Sequence, residues 1–279
     1  MNKKIIIAAL AVVLVAGGIK TASYLHEQKM IKIEQERIEA EKKKYMIGCK
    51  NDAKQYSYDA KKINEKLSKF DYSNDGKKMV FLTFDDGPST TVTPEILETL
   101  KENDVHATFF VTGKALKDGG KTSEELLKQE LEDGHAIASH SYSHDYSKLY
   151  PKRTLNLNNF TSDFEQANQE MKRILGKYFS TRVIRCPGGH MSWKGMDALD
   201  EYLQENNMVS IDWNSLNKDA EGPKKNAAQL VEVAKQQSKD KEIVVLLMHD
   251  TYGKEETAKA LPDIIKYFKD NGYEFKTLR

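Results

Sequence analysis

Cysteine is scarce. Only Cys49 and Cys186 occur among 279 residues. That excludes a disulfide framework and a repeated cysteine metal-ligand pattern. A Cys49–Cys186 bridge is open by count alone. The adopted reading of Cys186 is a packed free thiol. Excess charge is lacking too, with 43 Lys+Arg against 42 Asp+Glu and a net charge of +1. No basic surplus points to nucleic acid and no acidic surplus to a solvating tail. Internal repeats and low-complexity tracts do not stand out, and the length leaves room for one large domain or two small ones.

A long apolar run occurs at the start of the chain. Lys3 and Lys4 precede "IIIAALAVVLVAGGI", Ile5 to Ile19, and Lys20 follows. A basic flank before an apolar segment is a targeting element rather than part of a fold. A secretory signal has an apolar core of ~7–15 residues and a small-residue cleavage site. A spanning helix needs ~20 residues, or fewer where lysines snorkel. No clear A-x-A site precedes a polar start. Residues 1–25 are therefore expected to be an uncleaved single-pass anchor with the remainder outside the cell, and secretion after cleavage is the alternative. Residues 26–47 follow, rich in Glu, Lys and Gln and free of proline, with glycine absent through Tyr45. They are expected to form a helical stalk, since Met30, Ile31, Ile33 and Ile38 make no sustained heptad. The polar stretch 48–77 reads as a linker that can pack on the domain, and 78–279 as the catalytic domain.

From Lys78 onward short apolar runs alternate with helix-like segments. "MVFLTF", "ATFFVT", "HAIASH", "RVIR", "MVSID", "EIVVLLMHD" and "YEFKTL" read as strands. Helices are expected in "TPEILETLKEN", "SEELLKQELEDG", roughly Ser162–Leu175, "GMDALDEYLQENN", "NAAQLVEVAKQQS" and "TAKALPDIIKYFKDNG". The alternation predicts an α/β fold with a parallel sheet, and about seven units favour a distorted, incomplete (β/α) TIM-like barrel over an open sheet.

The unusual polar residues fall at the ends of these strands. Asp85 and Asp86 follow the first, His140 and His144 the third, Arg185 the fourth, Asp212 the fifth, and His249 and Asp250 the most hydrophobic one. In a parallel barrel such ends converge on one face. Each residue also has an ordinary reading. An Asp at a strand end is usually a cap or turn residue, and Asp250 can cap the next helix. Trp213 and Leu247 fit a core, as do Phe109, Phe110 and Val111, and "PGG" fits a turn. Five motifs on one face favour chemistry. "HSYSH" places two imidazoles at i, i+4, which point the same way if the segment makes a helical turn. With a carboxylate they form a three-ligand metal site. One aspartate of the pair serves as ligand, and the other can accept a proton from water that the cation acidifies. His249 can donate a proton to a leaving group, and Asp212 can hold it and favour its charged form.

"TFDDGP", "HSYSH", "RCPGG", "DW" and "LLMHD", in this order, resemble the five motifs of the polysaccharide deacetylase family, carbohydrate esterase family 4. The resemblance covers roughly Lys78 to Arg279. It implies a distorted (β/α) barrel, a divalent metal that is often zinc (with cobalt, nickel or manganese as alternatives), and hydrolysis of an acetyl group from a sugar, a linear amide C–N bond that is not a peptide bond. By position Asp85 resembles the general base, and Asp86, His140 and His144 the metal ligands. His249 resembles the general acid, Arg185 the residue orienting the base, and Asp212 the carboxylate tuning the acid. Trp213 and Leu247 resemble the apolar wall for the acetyl methyl. The third motif departs from the family pattern Arg-x-Pro-Tyr. Gly188 stands at the tyrosine position, where its backbone N–H remains an oxyanion donor. The expected substrate is N-acetylglucosamine of peptidoglycan. Alternatives are a chitin-like or β-1,6-linked glucosamine polymer, acetylxylan, or a non-catalytic wall-binding role on the same fold.

Overall fold

The computed structural model describes residues 24–38 and 44–279. The chain divides into two compact units, 1–45 and 46–279. In the first, residues 24–38 are helical and exposed. Ile5–Ile19 lies outside the described residues, and with it the anchor reading. Among the described residues no helix is long and apolar enough to cross a membrane.

The second unit is built on an eight-stranded parallel sheet. Its strands are β1 (Met79–Asp85), β2 (Thr108–Val111), β3 (Ala136–Ser139), β4 (Val183–Ile184), β5 (Val209–Ser210), β6 (Ser215–Leu216), β7 (Ile243–His249) and β8 (Glu274–Phe275). The order across it is β5-β4-β3-β2-β1-β7-β6, with β8 also paired to β1. All pairs are parallel. The end strands β5 and β6 are not bonded to one another in this order. The sheet is thus a curled half-barrel rather than a closed one.

Side chains alternate between the two faces of a strand. Val80, Leu82 and Phe84 of β1 join Val244, Leu246 and Met248 of β7 in the larger core. Helices α2 (Thr93–Glu102), α3 (Gly113–Glu132), α5 (Leu157–Leu175), α7 (Ala227–Ser238) and α8 (Glu255–Asp270) contribute to the same core. Between α3 and α5 lies the one-turn α4 (Tyr146–Leu149), and between α5 and α7 lies α6 (Asp197–Glu205). The opposite, concave face carries Phe81, Phe110, Val183, Val245 and Trp213. Burial on both faces explains why β1 and β7 read as continuous apolar runs.

The stretch 48–77, expected as a linker that can pack on the domain, does pack on it. Residues 46–47 pair with 179–180, and 57–58 pair with 277–278. Helix α1 (Ala60–Ser68) buries Ala60 and Ile63 in the concave-face cluster beside Leu278. The expected stalk therefore ends before Met46. Short apolar patches among polar residues concealed these contacts, because their partners lie far along the chain.

Candidate active site and metal centre

The carboxyl ends of the strands meet on one edge, and register fixes who faces whom. His249 is the Cα partner of Asp85 across β7 and β1, and Asp85 is the partner of Phe110 across β1 and β2. Asp86 is the first residue beyond β1. It has φ 73°, a left-handed conformation unusual outside glycine. Gly87 follows because a Cβ there would collide with the Asp250 carboxylate. Asp250 does not cap α8, whose N-cap is Lys254. It accepts a hydrogen bond from Thr93 Oγ1 at 2.6 Å, while its carbonyl accepts one from Ser89 Oγ at 2.6 Å. It ties the turn after Asp86 to α2, and burial pushes its carboxyl up to about 7.

"HSYSH" forms a bend rather than a helical turn, with Ser141 at φ 72° and His144 at φ 51°. The buried Asp163 of α5 imposes that bend. It accepts from Tyr142 N at 2.7 Å, Ser143 N at 2.9 Å, Ser143 Oγ at 2.8 Å and Lys148 Nζ at 2.6 Å. Burial opposes its charge, but these donors prevail and hold its pKa low. The two imidazoles still converge, with ring centroids 4.9 Å apart.

Three groups converge that could hold a metal ion. Asp86 Oδ1 lies 3.6 Å from His140 Nε2 and 3.4 Å from His144 Nε2. Ligand atoms of the three residues all fall within 4.8 Å of one another. His140 Nδ1 donates to the Arg185 carbonyl at 2.8 Å, which leaves the Nε2 lone pair facing Asp86. Burial pushes the His140 pKa down to about 3, so the ring is neutral, as a ligand must be. Asp86 Oδ1 is buried and has no hydrogen-bond partner. A buried acceptor without a donor costs free energy, and a cation between the nitrogens would satisfy it. The donor set, one carboxylate and two imidazoles, suits a divalent ion with open coordination positions.

Asp85 stands beside this group, with Oδ2 3.6 Å from His140 Nε2. Its other oxygen accepts from Arg185 Nη1 at 2.7 Å. Arg185 is fully buried. Its Nη1 also donates to Thr83 Oγ1 at 2.9 Å and its Nε to the Ile211 carbonyl at 3.0 Å. The guanidinium carbon lies 4.0 Å from the Phe110 ring centroid and 5.6 Å from that of Trp213. Burial pushes the Asp85 carboxyl up, against the opposing charges of Arg185 and His249. A carboxylate raised in this way and fixed in orientation is a better base than one in water.

His249 Nε2 points toward the same space, 4.0 Å from Asp86 Oδ2. Its Nδ1 is held by Asp219 Oδ1 at 2.7 Å, and its backbone N–H by Asp219 Oδ2 at 2.9 Å. Burial works against the imidazolium, yet the Asp219 hydrogen bond and charge outweigh it, and the pKa rises to about 9. The carboxylate expected in this place was Asp212. Its oxygens instead accept the backbone N–H groups of His190 at 2.9 Å and Met191 at 3.4 Å. The cause is pairing. Ser215 and Leu216 of β6 pair with Leu246 and Leu247 of β7, which brings the loop after β6, not the loop after β5, alongside His249. Asp219 was missed because β6 is too short to read as a strand, so nothing marked the acid that follows it.

The remaining expected residues surround this centre. Leu247 is buried, in register with Thr83 of β1. Trp213 packs against the concave-face cluster. Gly188 has φ 79°, and a Cβ there would lie 3.0 Å from Trp193 and 3.3 Å from Tyr146 Oη. Tyr146, another residue the sequence reading passed over, stacks obliquely on His144 with centroids 5.3 Å apart. Its phenol thus borders the space beside Gly188. Cys49 and Cys186 are both free and buried. Cys186 Sγ lies 3.4 Å from Ser210 Oγ, and burial pushes its thiol up to about 12, too high for a reactive thiolate at neutral pH.

Comparison with known proteins agrees with this arrangement. The polysaccharide deacetylase family matches residues 72–204. A peptidoglycan-N-acetylglucosamine deacetylase of Bacillus cereus is 32% identical over 209 residues, covering 72% of this chain and 69% of its own length. Among solved structures, a carbohydrate esterase family 4 enzyme of Streptococcus mutans is similar, with a TM-score of 0.76 and 36% identity over 85% of this chain and 99% of its own. The catalytic domain of a peptidoglycan N-acetylglucosamine deacetylase from Eubacterium rectale has a TM-score of 0.64 and 30% identity, covering 75% of this chain and 91% of that one. A half-barrel that collects two acids, three histidines and a buried arginine on one edge, in a sequence this close to such enzymes, leads to one assignment: the chain belongs to the polysaccharide deacetylase family and is a deacetylase hydrolase.

Proposed function

We propose that the protein removes N-acetyl groups from the N-acetylglucosamine of peptidoglycan, with a divalent cation, zinc first among the candidates, held by Asp86, His140 and His144. The observation that carries this reading is the orphaned Asp86 Oδ1 between two imidazole nitrogens, with Asp85 and His249 facing each other in register beside it. Peptidoglycan is favoured by the relatives from Bacillus cereus and Eubacterium rectale, both named for that polymer. The apolar run Ile5–Ile19 favours a location at the outer face of the cell membrane, and secretion after cleavage is the alternative.

A cation bound there supplies Lewis acidity, polarising the acetyl carbonyl and acidifying water. Asp85, oriented by Arg185, takes a proton from the attacking water. His249, kept protonated by Asp219, gives a proton through Nε2 to the departing amine nitrogen. The Gly188 N–H is offered to the carbonyl oxygen as it gains charge. Trp213 and Leu247 form the wall beside the acetyl methyl.

The test is acetate release from muropeptides, N-acetylglucosamine oligomers and acetylxylan, with metal content measured alongside. Acetate should appear from muropeptides and vanish on chelation. Asp85→Asn should keep the metal and lose turnover by at least about a hundredfold, as expected for removal of a general base. Asp86→Asn should lose the metal itself. Full activity in metal-free protein would overturn the mechanism, and release only from another polymer would overturn the choice of substrate.

A further inference from the structure

Asp219 sits in a loop, yet each of its polar groups is held. Its N–H donates to Asn217 Oδ1 at 3.0 Å, and its carbonyl accepts from Lys254 Nζ at 2.8 Å. Oδ1 meets the His249 ring, and Oδ2 accepts both the His249 N–H at 2.9 Å and Thr257 Oγ1 at 2.8 Å. The loop around it is closed by Lys225, whose Nζ bonds the carbonyls of Lys218 at 3.2 Å, Glu221 at 2.6 Å and Pro223 at 3.1 Å. Lys218, just before Asp219, has φ 61°, a conformation uncommon outside glycine.

Two of these partners come from one place. Lys254 is the N-cap of α8, and Thr257 lies in its first turn. Thr257 N–H donates to the Lys254 carbonyl at 2.9 Å, and Thr257 is fully buried. A threonine hydroxyl that turns back onto its own helix bonds the carbonyl four residues before it. The Thr257 hydroxyl leaves the helix instead and bonds an acid 38 residues away in sequence. Without it, Oδ2 would keep only the His249 N–H as a donor. The terminal torsion of an aspartate is soft, and rotation about it carries Oδ1 out of line with His249 Nδ1. Two donors on Oδ2 from different elements, β7 and α8, oppose that rotation.

We propose that Thr257 is a positioning residue for the proton donor: its hydroxyl fixes the Asp219 carboxylate, which sets the His249 ring with Nδ1 toward Asp219 and Nε2 toward the reacting bond. The inference rests on the deacetylase reading above, in which His249 gives its proton to the amine. A proton reaches the departing nitrogen only when Nε2 lies within hydrogen-bond reach of it, ~2.6–3.2 Å. Among the described residues the His249 ring makes one hydrogen bond, to Asp219 at 2.7 Å. A displaced Asp219 carboxylate therefore displaces Nε2. Lys254 adds to the effect by holding the backbone from which the Asp219 side chain turns. Helix α8 directly follows the strand that ends in His249, so one connection carries both the acid and the group that aims it.

The test compares Thr257→Val, which keeps the shape and loses the hydroxyl, with Thr257→Ser, which keeps the hydroxyl and loses the methyl. Acetate release from muropeptides gives kcat and KM. Proton NMR gives the low-field signal of the Nδ1 proton shared by His249 and Asp219, identified by its absence from His249→Ala. Thr257→Val should lose kcat about tenfold, the scale of one hydrogen bond to a charged group, with KM changed by less than about twofold. Its low-field signal should weaken or vanish. Thr257→Ser should keep kcat, KM and the signal. Thr257→Ala differs from Thr257→Ser by the hydroxyl alone, should behave as Thr257→Val, and serves if Thr257→Val does not fold. A wild-type kcat or an unchanged signal in Thr257→Val, or equal losses in Thr257→Val and Thr257→Ser, overturns the assignment and leaves the deacetylase reading in place. The expected pattern of signals in a protein that releases acetate from no substrate supports the positioning role and overturns the deacetylase reading instead.

Discussion

Asp212 and Asp219 lie close together in the sequence and do different work. Asp219 clasps His249 by two bonds and favours its charged form, while Asp212 ties down two backbone N–H groups of a neighbouring loop. The imidazolium of His249 is lost as pH rises through about 9, so a rate that needs this acid falls on the alkaline side. Asp219→Asn removes the hydrogen bond and most of the attraction that outweigh burial, and the pKa must fall. The alkaline limb of kcat/KM should move to lower pH by roughly one to three units, with metal content unchanged. Asp212→Asn should leave that limb where it is. A pH profile of the two variants separates the assignments, and a limb moved by Asp212→Asn alone would restore the sequence-based reading. The same pair contributes to folding stability. That contribution is fully present below the ordinary histidine value of 6.5 and is lost as pH rises through about 9.

Elements were legible where their pattern is local. β1 and β7 announce themselves as apolar runs, and "NAAQ" announces the start of α7. There Asn226 and Gln229 close a capping box, with the Asn226 side chain accepting from Gln229 N at 3.0 Å and the Gln229 side chain accepting from Asn226 N at 3.1 Å. Asn226→Ala should cost about 1 kcal/mol, seen as a lower midpoint in denaturant with an unchanged slope. Helix α3 shows the limit of pattern reading. The apolar periodicity begins near Ser123, so the start at Gly113 was missed, and Gly120, at φ 56° and ψ −140°, breaks the helical geometry between the two halves. Two-residue strands such as β6 carry no periodicity at all. β6 exists because its long neighbour β7 offers it backbone to pair with.

At the scale of the whole unit, segment 46–77 has more weight than its composition suggests. It supplies two strand pairings and the buried Ile63. A chain beginning at Lys78 should therefore unfold at a temperature lower by roughly 10 °C or more than one beginning at Met46, since a single buried isoleucine is worth ~2–5 kcal/mol. Thermal scans of the two proteins check this, and equal midpoints would return the segment to the status of a linker. The sheet itself, with β5 and β6 at its two ends, leaves the carboxyl edge of the strands as the place where all the polar motifs gather.

The sequence by itself determined the alternation of strands and helices and the edge on which Asp85, Asp86, His140, His144, Arg185 and His249 meet. Both follow from local rules: burial makes apolar runs, and a residue that ends a parallel strand lies on the carboxyl edge whatever the strand order. Tertiary structure decided which carboxylate serves His249 and how the "HSYSH" bend turns two imidazoles together without a helix. Each depends on a partner distant in sequence: β7 for Asp219 and Asp163 for the bend. Contacts of that kind are set by strand register and by the packing of whole elements, and neither leaves a periodic mark on the residues that make them.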